Sequence, residues 1–210
     1  AGVFTNVTAG ALPATTSGSG NVAAGDINGD GDVDLVFASG SGPNRVYVND
    51  GTGVFSEVAG AGPAVLNTHD VALGDIDGDG DLDLVSVHAW ALWDIRVWFN
   101  DGAGVFTDSE QALAGGVTDS VALDDVDGDG DLDLVSGGAA KYIVWLNNVT
   151  NIPGRQGVFT EAELVVRSSY TSSVALGDVD GDGDPDLVTG SYDIEDNTQD
   201  ISDNVWLNDY

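Results

Sequence analysis

The sequence predicts an all-β fold, a β-propeller with four blades of four antiparallel strands. An acid-rich stretch occurs four times, as GDINGDGDVDLV, GDIDGDGDLDLV, DDVDGDGDLDLV and GDVDGDGDPDLV. Their first loop aspartates are Asp26, Asp75, Asp125 and Asp178, at spacings of 49, 50 and 53 residues. The segments between them recur in the same phase. A fixed period of this length is typical of propellers and solenoids.

Each repeat contains four short segments with the pattern of a β-strand. The first is VAAG, VALG or VALD before the acidic stretch, and the second is the DLV run after it. The third is RVYVN, RVWFN, IVWLN or NVWLN, and the fourth is GVFSEV, GVFTDS or GVFTEA. Side chains in these segments alternate with period two, and Gly, Asn, Asp and Ser separate the segments. Since no segment has a helical apolar stripe, each repeat is expected to form one blade.

The two ends of the chain complement each other. The chain opens with AGVFTNV, a fourth-strand segment, and closes with NVWLNDY, a third-strand segment. The N-terminal strand is therefore predicted to close the last blade, which removes exposed sheet edges. Residues 1–210 are expected to form a single propeller domain of four repeats of about fifty residues. A monomer is favoured. A dimer whose chains close one ring is the alternative, since the same termini could pair between neighbours.

The charge of the chain is strongly negative and unevenly distributed. The 36 acidic residues face only 5 lysines and arginines, a formal net charge of −31, and 19 of the acidic residues lie in four short loops, at residues 26–34, 75–83, 125–133 and 178–186. Such a surface repels nucleic acid and anionic lipid, so no nucleic-acid partner is expected. No apolar run approaches the roughly 18 residues of a membrane-spanning helix, so no membrane insertion is expected. The absence of cysteine excludes zinc–thiolate and iron–sulfur sites.

The acidic stretches have the composition of a calcium site. In the second copy, carboxylates stand at every second position from Asp75 to Asp83, and Gly78 and Gly80 allow a tight turn. Hard oxygen ligands in this number suit Ca²⁺, whereas Mg²⁺ takes fewer protein ligands and transition metals prefer His or Cys. Without a cation, the clustered carboxylates would repel one another. We therefore expect about four calcium ions, one in each repeat.

An EF-hand is the competing interpretation of these stretches. Its first six positions agree, but it needs an acidic residue at position 12 and a helix on each side. Position 12 is occupied here by Phe37, Ser86, Ser136 and Thr189, and both flanks have strand patterns. Each stretch is therefore predicted to be a loop between two strands of one blade.

The pattern Asp-x-Asp/Asn-x-Asp-Gly-x-x-Asp-Leu, with VALGD, DLV, GVF and VWLN around it, resembles the FG-GAP/VCBS repeats. These repeats occur in integrin α-subunit propellers and in secreted bacterial and fungal propellers, usually in more than four copies. The resemblance covers the whole chain. It implies that calcium is bound in each loop by the side chains at positions 1, 3, 5 and 9 and by the main-chain carbonyl at position 7.

That ligand set falls on loops 26–34, 75–83, 125–133 and 178–186. The implied residues are Asp26, Asn28, Asp30, Asp32 and Asp34, then Asp75, Asp77, Asp79, Asp81 and Asp83, then Asp125, Asp127, Asp129, Asp131 and Asp133, and finally Asp178, Asp180, Asp182, Asp184 and Asp186. Asn28 makes the first loop one charge less negative, and Pro185 replaces the aliphatic residue of the fourth.

Candidate residues for other chemistry are few. His69 and His88 lie outside the repeat pattern and are expected to be surface or satisfied core histidines. Aromatic rings stack on sugars, so the aromatic residues outside the repeated positions are the candidates for ligand contact in exposed loops. These candidates are Trp90, Trp93, Tyr142 and Tyr192.

The resemblance implies a secreted or cell-surface protein. We expect a calcium-binding, non-catalytic binding or adhesion module whose ligand is a glycan or a protein, with calcium holding the hairpins in place. One alternative is a polysaccharide-active enzyme, because some lyases and dehydratases carry similar propellers. The lack of a convergent Lys or His base argues against that alternative. The other is a structural scaffold domain.

Overall fold

The computed structural model describes residues 5–6, 8–13, 18–63, 67–88, 94–114, 116–139, 141–147, 157–166, 170–192 and 203–208. Within these residues the chain forms fifteen β-strands and one helical turn, α1 at Thr8–Ala11. The sequence did not predict this turn. None of the helices in the described part of the chain has the length and hydrophobicity to cross a membrane.

The strands follow the predicted segments in order. Blade 1 contains β1 Ser19–Gly25, β2 Asp34–Ser39, β3 Arg45–Asn49 and β4 Phe55–Glu57. Blade 2 contains β5 Thr68–Gly74, β6 Asp83–His88, β7 Ile95–Asn100 and β8 Phe106–Leu113. Blade 3 contains β9 Thr118–Asp124, β10 Asp133–Gly138, β11 Lys141–Asn147 and β12 Phe159–Val166. Blade 4 contains β13 Tyr170–Gly177, β14 Asp186–Tyr192 and β15 Asn204–Trp206.

Each blade is a sheet whose strands lie in chain order and pair antiparallel with their neighbours. The first strands contact one another in the order β1, β5, β9 and β13, so they lie innermost in a four-blade β-propeller arrangement. The prediction of an all-β, four-blade propeller is therefore confirmed. Blade 4 has three strands within the described residues. Its predicted fourth strand, the N-terminal AGVFTNV segment, spans residues 1–7, of which 1–4 and 7 lie outside the described part of the chain, and Thr5 and Asn6 are not in a strand.

The hydrophobic core lies between the blades. Successive residues of a strand point to opposite faces of its sheet, so each blade presents one apolar set to the blade before it and another to the blade after it. Between blades 1 and 2, Val36 and Val46 pack with Val71, Leu84 and Trp98. Equivalent clusters fill the spaces between blades 2 and 3 and between blades 3 and 4. All six residues of β6 and of β10 are buried.

The repeated aromatic position of the third strand contributes to this packing. Tyr47, Trp98 and Trp145 are buried. Trp98 Nε1 donates a hydrogen bond to Ser86 Oγ at 2.8 Å, and Trp145 Nε1 makes the same bond in blade 3 with a serine hydroxyl at 3.0 Å. Trp206 of blade 4 differs, because 36% of its surface is exposed. Blade 4 is thus less fully covered than the blades before it.

Candidate metal centres

The four acidic loops lie at one end of the propeller. Each connects the first strand of a blade to its second strand, so all four loops project from the same end. In three of them, carboxylate oxygens from positions 1, 3 and 9 lie within 4.8 Å of one another. These groups are Asp75, Asp77 and Asp83, then Asp125, Asp127 and Asp133, and then Asp178, Asp180 and Asp186. In the first loop, Asn28 replaces one carboxylate by an amide.

The aspartate at position 9 is the anchor of each loop. Asp83 is buried, its Oδ2 accepts a hydrogen bond from the N–H of Ile76 at 2.9 Å, and its Oδ1 accepts one from the N–H of Asn100 at 2.9 Å. The corresponding bonds in the other loops span 2.7 to 3.1 Å, and their acceptors are Asp34, Asp133 and Asp186. Asp83 Oδ2 also accepts a hydrogen bond from the N–H of Asp77 at 3.3 Å. A carboxylate has about four lone-pair sites, so at least one remains available to a cation.

The aspartate at position 1 folds the loop back on itself. Asp75 accepts hydrogen bonds from the N–H groups of Gly78 at 2.9 Å and Gly80 at 3.0 Å. Both glycines have positive φ, 76° and 99°, a conformation that costs other residues energy. The glycines of the motif are therefore needed for the turn that brings the carboxylates together.

The carboxylates at positions 5 and 7 lie outside these groups of three. Asp79 Oδ1 accepts a hydrogen bond from the N–H of Asp81 at 3.0 Å. The side chain of Asp81 lies against Gly102 in the turn between β7 and β8, where a Cβ would be 2.6 Å from Asp81 Oδ2. The side chain of Asp81 therefore packs against the neighbouring turn. The ligand role of positions 5 and 7 stays a prediction.

The electrostatics of the loops favour a bound cation. Burial and the nearby carboxylate of Asp77 raise the pKa of Asp83 to about 6. Burial and Asp127 raise the pKa of Asp133 to about 6 in the same way. In the fourth loop, hydrogen bonds from the N–H groups of Asn208 and Val179 lower the pKa of Asp186. A divalent cation would offset the repulsion within these all-oxygen groups, so the clusters could hold a metal ion.

In blades 2, 3 and 4, an asparagine at the same repeat position, which the sequence analysis did not single out, connects the acidic loop to the blade before it. Asn147 Nδ2 donates to Ile76 O in blade 2 at 2.8 Å and to Leu132 O in its own loop at 3.2 Å. Asn100 makes the same pair of bonds to Ile27 O and Leu82 O, and Asn208 makes it to Val126 O and Pro185 O. The signal was present, because asparagine ends the VYVN, VWFN and VWLN segments of every repeat.

The predicted ligand-contact residues divide into three cases. Tyr142 is not an exposed loop residue: it lies in β11, is buried, and its ring centroid is 5.6 Å from that of Trp206. The expected position of Tyr142 in an exposed loop was therefore wrong, and ligand contact by Tyr142 stays a prediction. Tyr192 is the last residue of β14, and its side chain lies outside the described part of the structure. Trp90 and Trp93 fall in residues 89–93, which are also outside it.

The two histidines lie at the end of the blades opposite the acidic loops. His69 Nδ1 is 3.2 Å from Asp119 Oδ1, at the same repeat position of the next blade. His88 is buried, and its Nε2 lies 2.8 Å from Ser86 Oγ. The sequence analysis missed the His69–Asp119 pair. Their spacing of one repeat period could have shown it.

The fold and the repeated loops together define a β-propeller whose blades each carry an acidic hairpin loop. The FG-GAP-like repeat family matches residues 26–86 and 125–189, which include all four loops. The chain therefore belongs to the FG-GAP-like repeat family. No curated protein matches the chain.

The solved structures that match this chain are longer than it, and the chain spans about half of their length or less. A lectin from Agrocybe aegerita, whose structure concerns recognition of non-reducing terminal N-acetylglucosamine, is 24% identical with a TM-score of 0.51. The match covers 79% of this chain and 45% of the lectin. BBS1N in complex with ARL6DN is 11% identical with a TM-score of 0.52, covering 84% and 51%. The V. cholerae biofilm matrix protein Bap1 is 21% identical with a TM-score of 0.46, covering 80% and 23%.

Proposed function

We propose that this protein is a calcium-binding propeller that acts outside the cell as a non-catalytic binding or adhesion module for a glycan or a protein. The observation that carries the proposal is the division of the molecule into two ends. The same hydrogen-bonded acidic loop recurs at one end of every blade. The connection between β6 and β7, which contains Trp90 and Trp93, and the end of β14 at Tyr192 lie at the other end. One end stabilises the fold, and the other is free to bind.

Calcium is the cation that suits the acidic loops. Their donors are carboxylate, amide and carbonyl oxygens, which Ca²⁺ accepts in flexible sets of six to eight at about 2.3–2.6 Å. In the second loop Asp75, Asp77 and Asp83 would bind the ion with their carboxylates, helped by Asp79 and the carbonyl of Asp81. Bound there, the cation would neutralise the buried charge of Asp83. Extracellular modules bind calcium at about 10⁻⁴–10⁻³ M, so a secreted or surface location would keep these loops filled.

The stabilisation by calcium is expected to depend on pH. The pKa of Asp83 and of Asp133 in the metal-free loops is raised from 3.8 to about 6, so protons compete with calcium for both carboxylates and calcium binding weakens as pH falls below about 6. Without metal, the stability of the fold depends on pH in the opposite direction. The folded state binds more protons than the unfolded state between about pH 4 and pH 6, so stability falls as pH rises through that window. Melting temperatures with and without calcium should diverge as pH rises, and a pH-independent difference would contradict this expectation.

The ligand would bind at the end opposite the acidic loops. The connection between β6 and β7 contains Trp90 and Trp93, and β14 ends at Tyr192 at the same end of the blades. The exposed His69 side chain and its partner Asp119 also lie there. Aromatic rings beside polar groups offer the stacking surface and the hydrogen bonds that a sugar or a peptide needs.

Binding to a glycan array and to extracellular-matrix proteins, in excess calcium, tests this function. Replacing Trp90 or Trp93 by Ala is expected to weaken binding at least about tenfold, because buried aromatic anchors contribute most to such contacts. The melting temperature should not change. The matched control is Val105→Ala, an exposed residue at the acidic end, which should bind as the wild type does.

The alternatives give different results in the same assays. Release of unsaturated or shortened sugars from a bound polysaccharide would identify an enzyme and overturn the proposal. Of the two described histidines, His88 is buried in a strand, and His69 is exposed and lies beside the carboxylate of Asp119, so an assay for turnover is the direct test. A chain that binds neither glycan nor protein would be a scaffold domain.

A further inference from the structure

The outer face of blade 4 is exposed where the other blades are covered. On the face that each blade presents to the next, Val46 and Val97 of the third strands are fully buried. Their counterpart in blade 4, Val205, is 57% exposed. Ile27 is also buried at the second position of its acidic loop, whereas Val179, at the same position in the fourth loop, is 56% exposed. Blade 4 thus presents an uncovered apolar face of the type that another blade covers elsewhere.

Blade 1 is exposed on the opposite face, the one that the other blades pack against the blade before them. On the face that each blade presents to the blade before it, Val71, Val121 and Val174 of the first strands are buried. Their counterpart Val22 is 47% exposed. Within the described residues, no extensive contact joins β13 to β1, although the other first strands contact in succession. The chain's own blade 1 therefore leaves blade 4 uncovered.

Backbone packing supports the same conclusion. A Cβ at Gly25 would lie 2.5 Å from a side-chain atom of Leu82 in blade 2, and one at Gly74 would lie 2.7 Å from Leu132 in blade 3. A Cβ at Gly177 of blade 4 would meet no described atom within 4 Å. The close approach that the next blade makes at the inner strands is therefore open at blade 4.

The fourth strand of a blade normally places a phenylalanine between two blades. Phe106, from the GVF segment of blade 2, is buried in one cluster with Ile27, Val46 and Trp98. Phe159 is buried in the same way between blades 2 and 3. This ring closes the space between the loop of one blade and the third strand of the next.

A cavity of about 320 Å³ lies at the equivalent place between blades 3 and 4. Its lining includes Val126, Val144 and Trp206, which occupy the repeat positions of the residues around Phe106. The remaining GVF segment of the chain ends at Phe4. The cavity therefore has the position and the apolar lining of a site for a fourth-strand phenylalanine.

We propose that a second copy of this chain packs its blade 1 against blade 4 of the first, and that its N-terminal segment adds a strand beside β15 with Phe4 in the cavity. The two end faces are the two halves of the interface that already joins blades 1 to 2, 2 to 3 and 3 to 4. A head-to-tail contact of this kind closes a ring if the rotation permits and otherwise continues to longer assemblies. It buries the exposed valines on both faces.

The charge of the chain makes this association dependent on cations. Two copies of net charge −31 repel each other at low ionic strength. Val179 lies within the fourth acidic loop, so a cation there would reduce the charge next to the contact. Association is therefore expected to be strongest with excess calcium at moderate salt.

Light scattering coupled to gel filtration, and sedimentation velocity over a range of concentrations, test the proposal on the 210-residue chain in excess calcium. The wild-type chain is expected to reach at least twice the chain mass. Val205→Asp on blade 4 and Val22→Asp on blade 1 should each be a monomer. An equimolar mixture of the two variants should regain a two-chain species, because each contributes one intact face. Val105→Asp, 42% exposed in a turn, is the matched control and should assemble as the wild type does.

Phe4→Ala tests the occupant of the cavity. It should weaken association at least about tenfold, as expected for loss of a buried aromatic ring. A wild-type chain that stays monomeric, with a melting temperature lowered by Phe4→Ala, would mean that the chain closes on itself and would overturn the proposal. An assembly that both Asp variants leave intact, or a mixture of them that fails to associate, would overturn it as well. Circular dichroism of each variant confirms that it is folded.

Discussion

Removing calcium with a chelator is expected to lower the free energy of unfolding by about 6 kcal/mol. A cation that binds only the folded state contributes RT ln(1 + [L]/Kd), about 1.4 kcal/mol at a concentration tenfold above Kd, and the chain has four loops. Small domains are stable by about 5–15 kcal/mol, so the metal-free protein would retain little stability. For a domain of this size the melting temperature should fall by roughly 10–20 °C. Differential scanning calorimetry before and after chelation measures the change.

Single-loop variants separate calcium binding from a general effect of the chelator. Asp77→Asn gives the second loop the amide that Asn28 supplies in the first. This variant should weaken calcium binding at one loop and so reduce only part of the stabilisation that calcium gives. Magnesium at the same concentration should stabilise the protein less than calcium does. Asn28→Asp is the reciprocal variant and should strengthen its site. Elemental analysis measures whether the protein contains calcium. If it contains none and chelation leaves the melting temperature unchanged, the calcium assignment is refuted.

Asn147→Ala is expected to destabilise the propeller by about 3–5 kcal/mol, even with calcium present. Asn147 is fully buried, and its amide donates to Ile76 O in the preceding blade and to Leu132 O in its own loop. Alanine removes both hydrogen bonds, so two carbonyl groups lose their donor, and each unsatisfied carbonyl costs about 1–3 kcal/mol. The smaller side chain also leaves a small cavity. Urea unfolding of the calcium-bound protein measures the loss.

Asn49→Ala is the matched control for that substitution. Asn49 occupies the same repeat position in blade 1, where its Nδ2 donates to Val33 O in its own loop at 3.1 Å and its Oδ1 accepts from the N–H groups of Gly51 and Gly53, all on an exposed surface. The expected cost is about 1 kcal/mol, since water replaces the lost donor. Equal losses for the two variants would show that the bond between blades contributes nothing beyond the local one.

The sequence predicted the elements of the fold because its local signals agree with one another. Period-two segments, turn residues and the fixed spacing all assign the same four strands to each repeat. The loop was also predictable, because glycines such as Gly78 and Gly80 reach positive φ at low cost where the carboxylates converge. These are properties of neighbouring residues, and a single sequence displays them.

The parts that could not be predicted depend on residues far apart in the chain. Tyr142 resembled a loop residue, but β11 begins at Lys141, and Tyr142 pairs with Gly137 across a short connection. Its burial follows from blade 4 packing over it, which no local pattern reveals. The bond from Asn147 to Ile76 spans 71 residues, so only the fold brings the donor to its acceptor.

The asparagine bonds also determine how the propeller would resist mechanical force. Asn100, Asn147 and Asn208 connect each blade to the one before it at the acidic end, next to the proposed ions. Tension applied across the molecule would load these hydrogen bonds in shear, together with the apolar contacts between the sheets. An adhesion module pulled by its ligand would then yield first at a junction without such a bond, at the outer edge of a terminal blade.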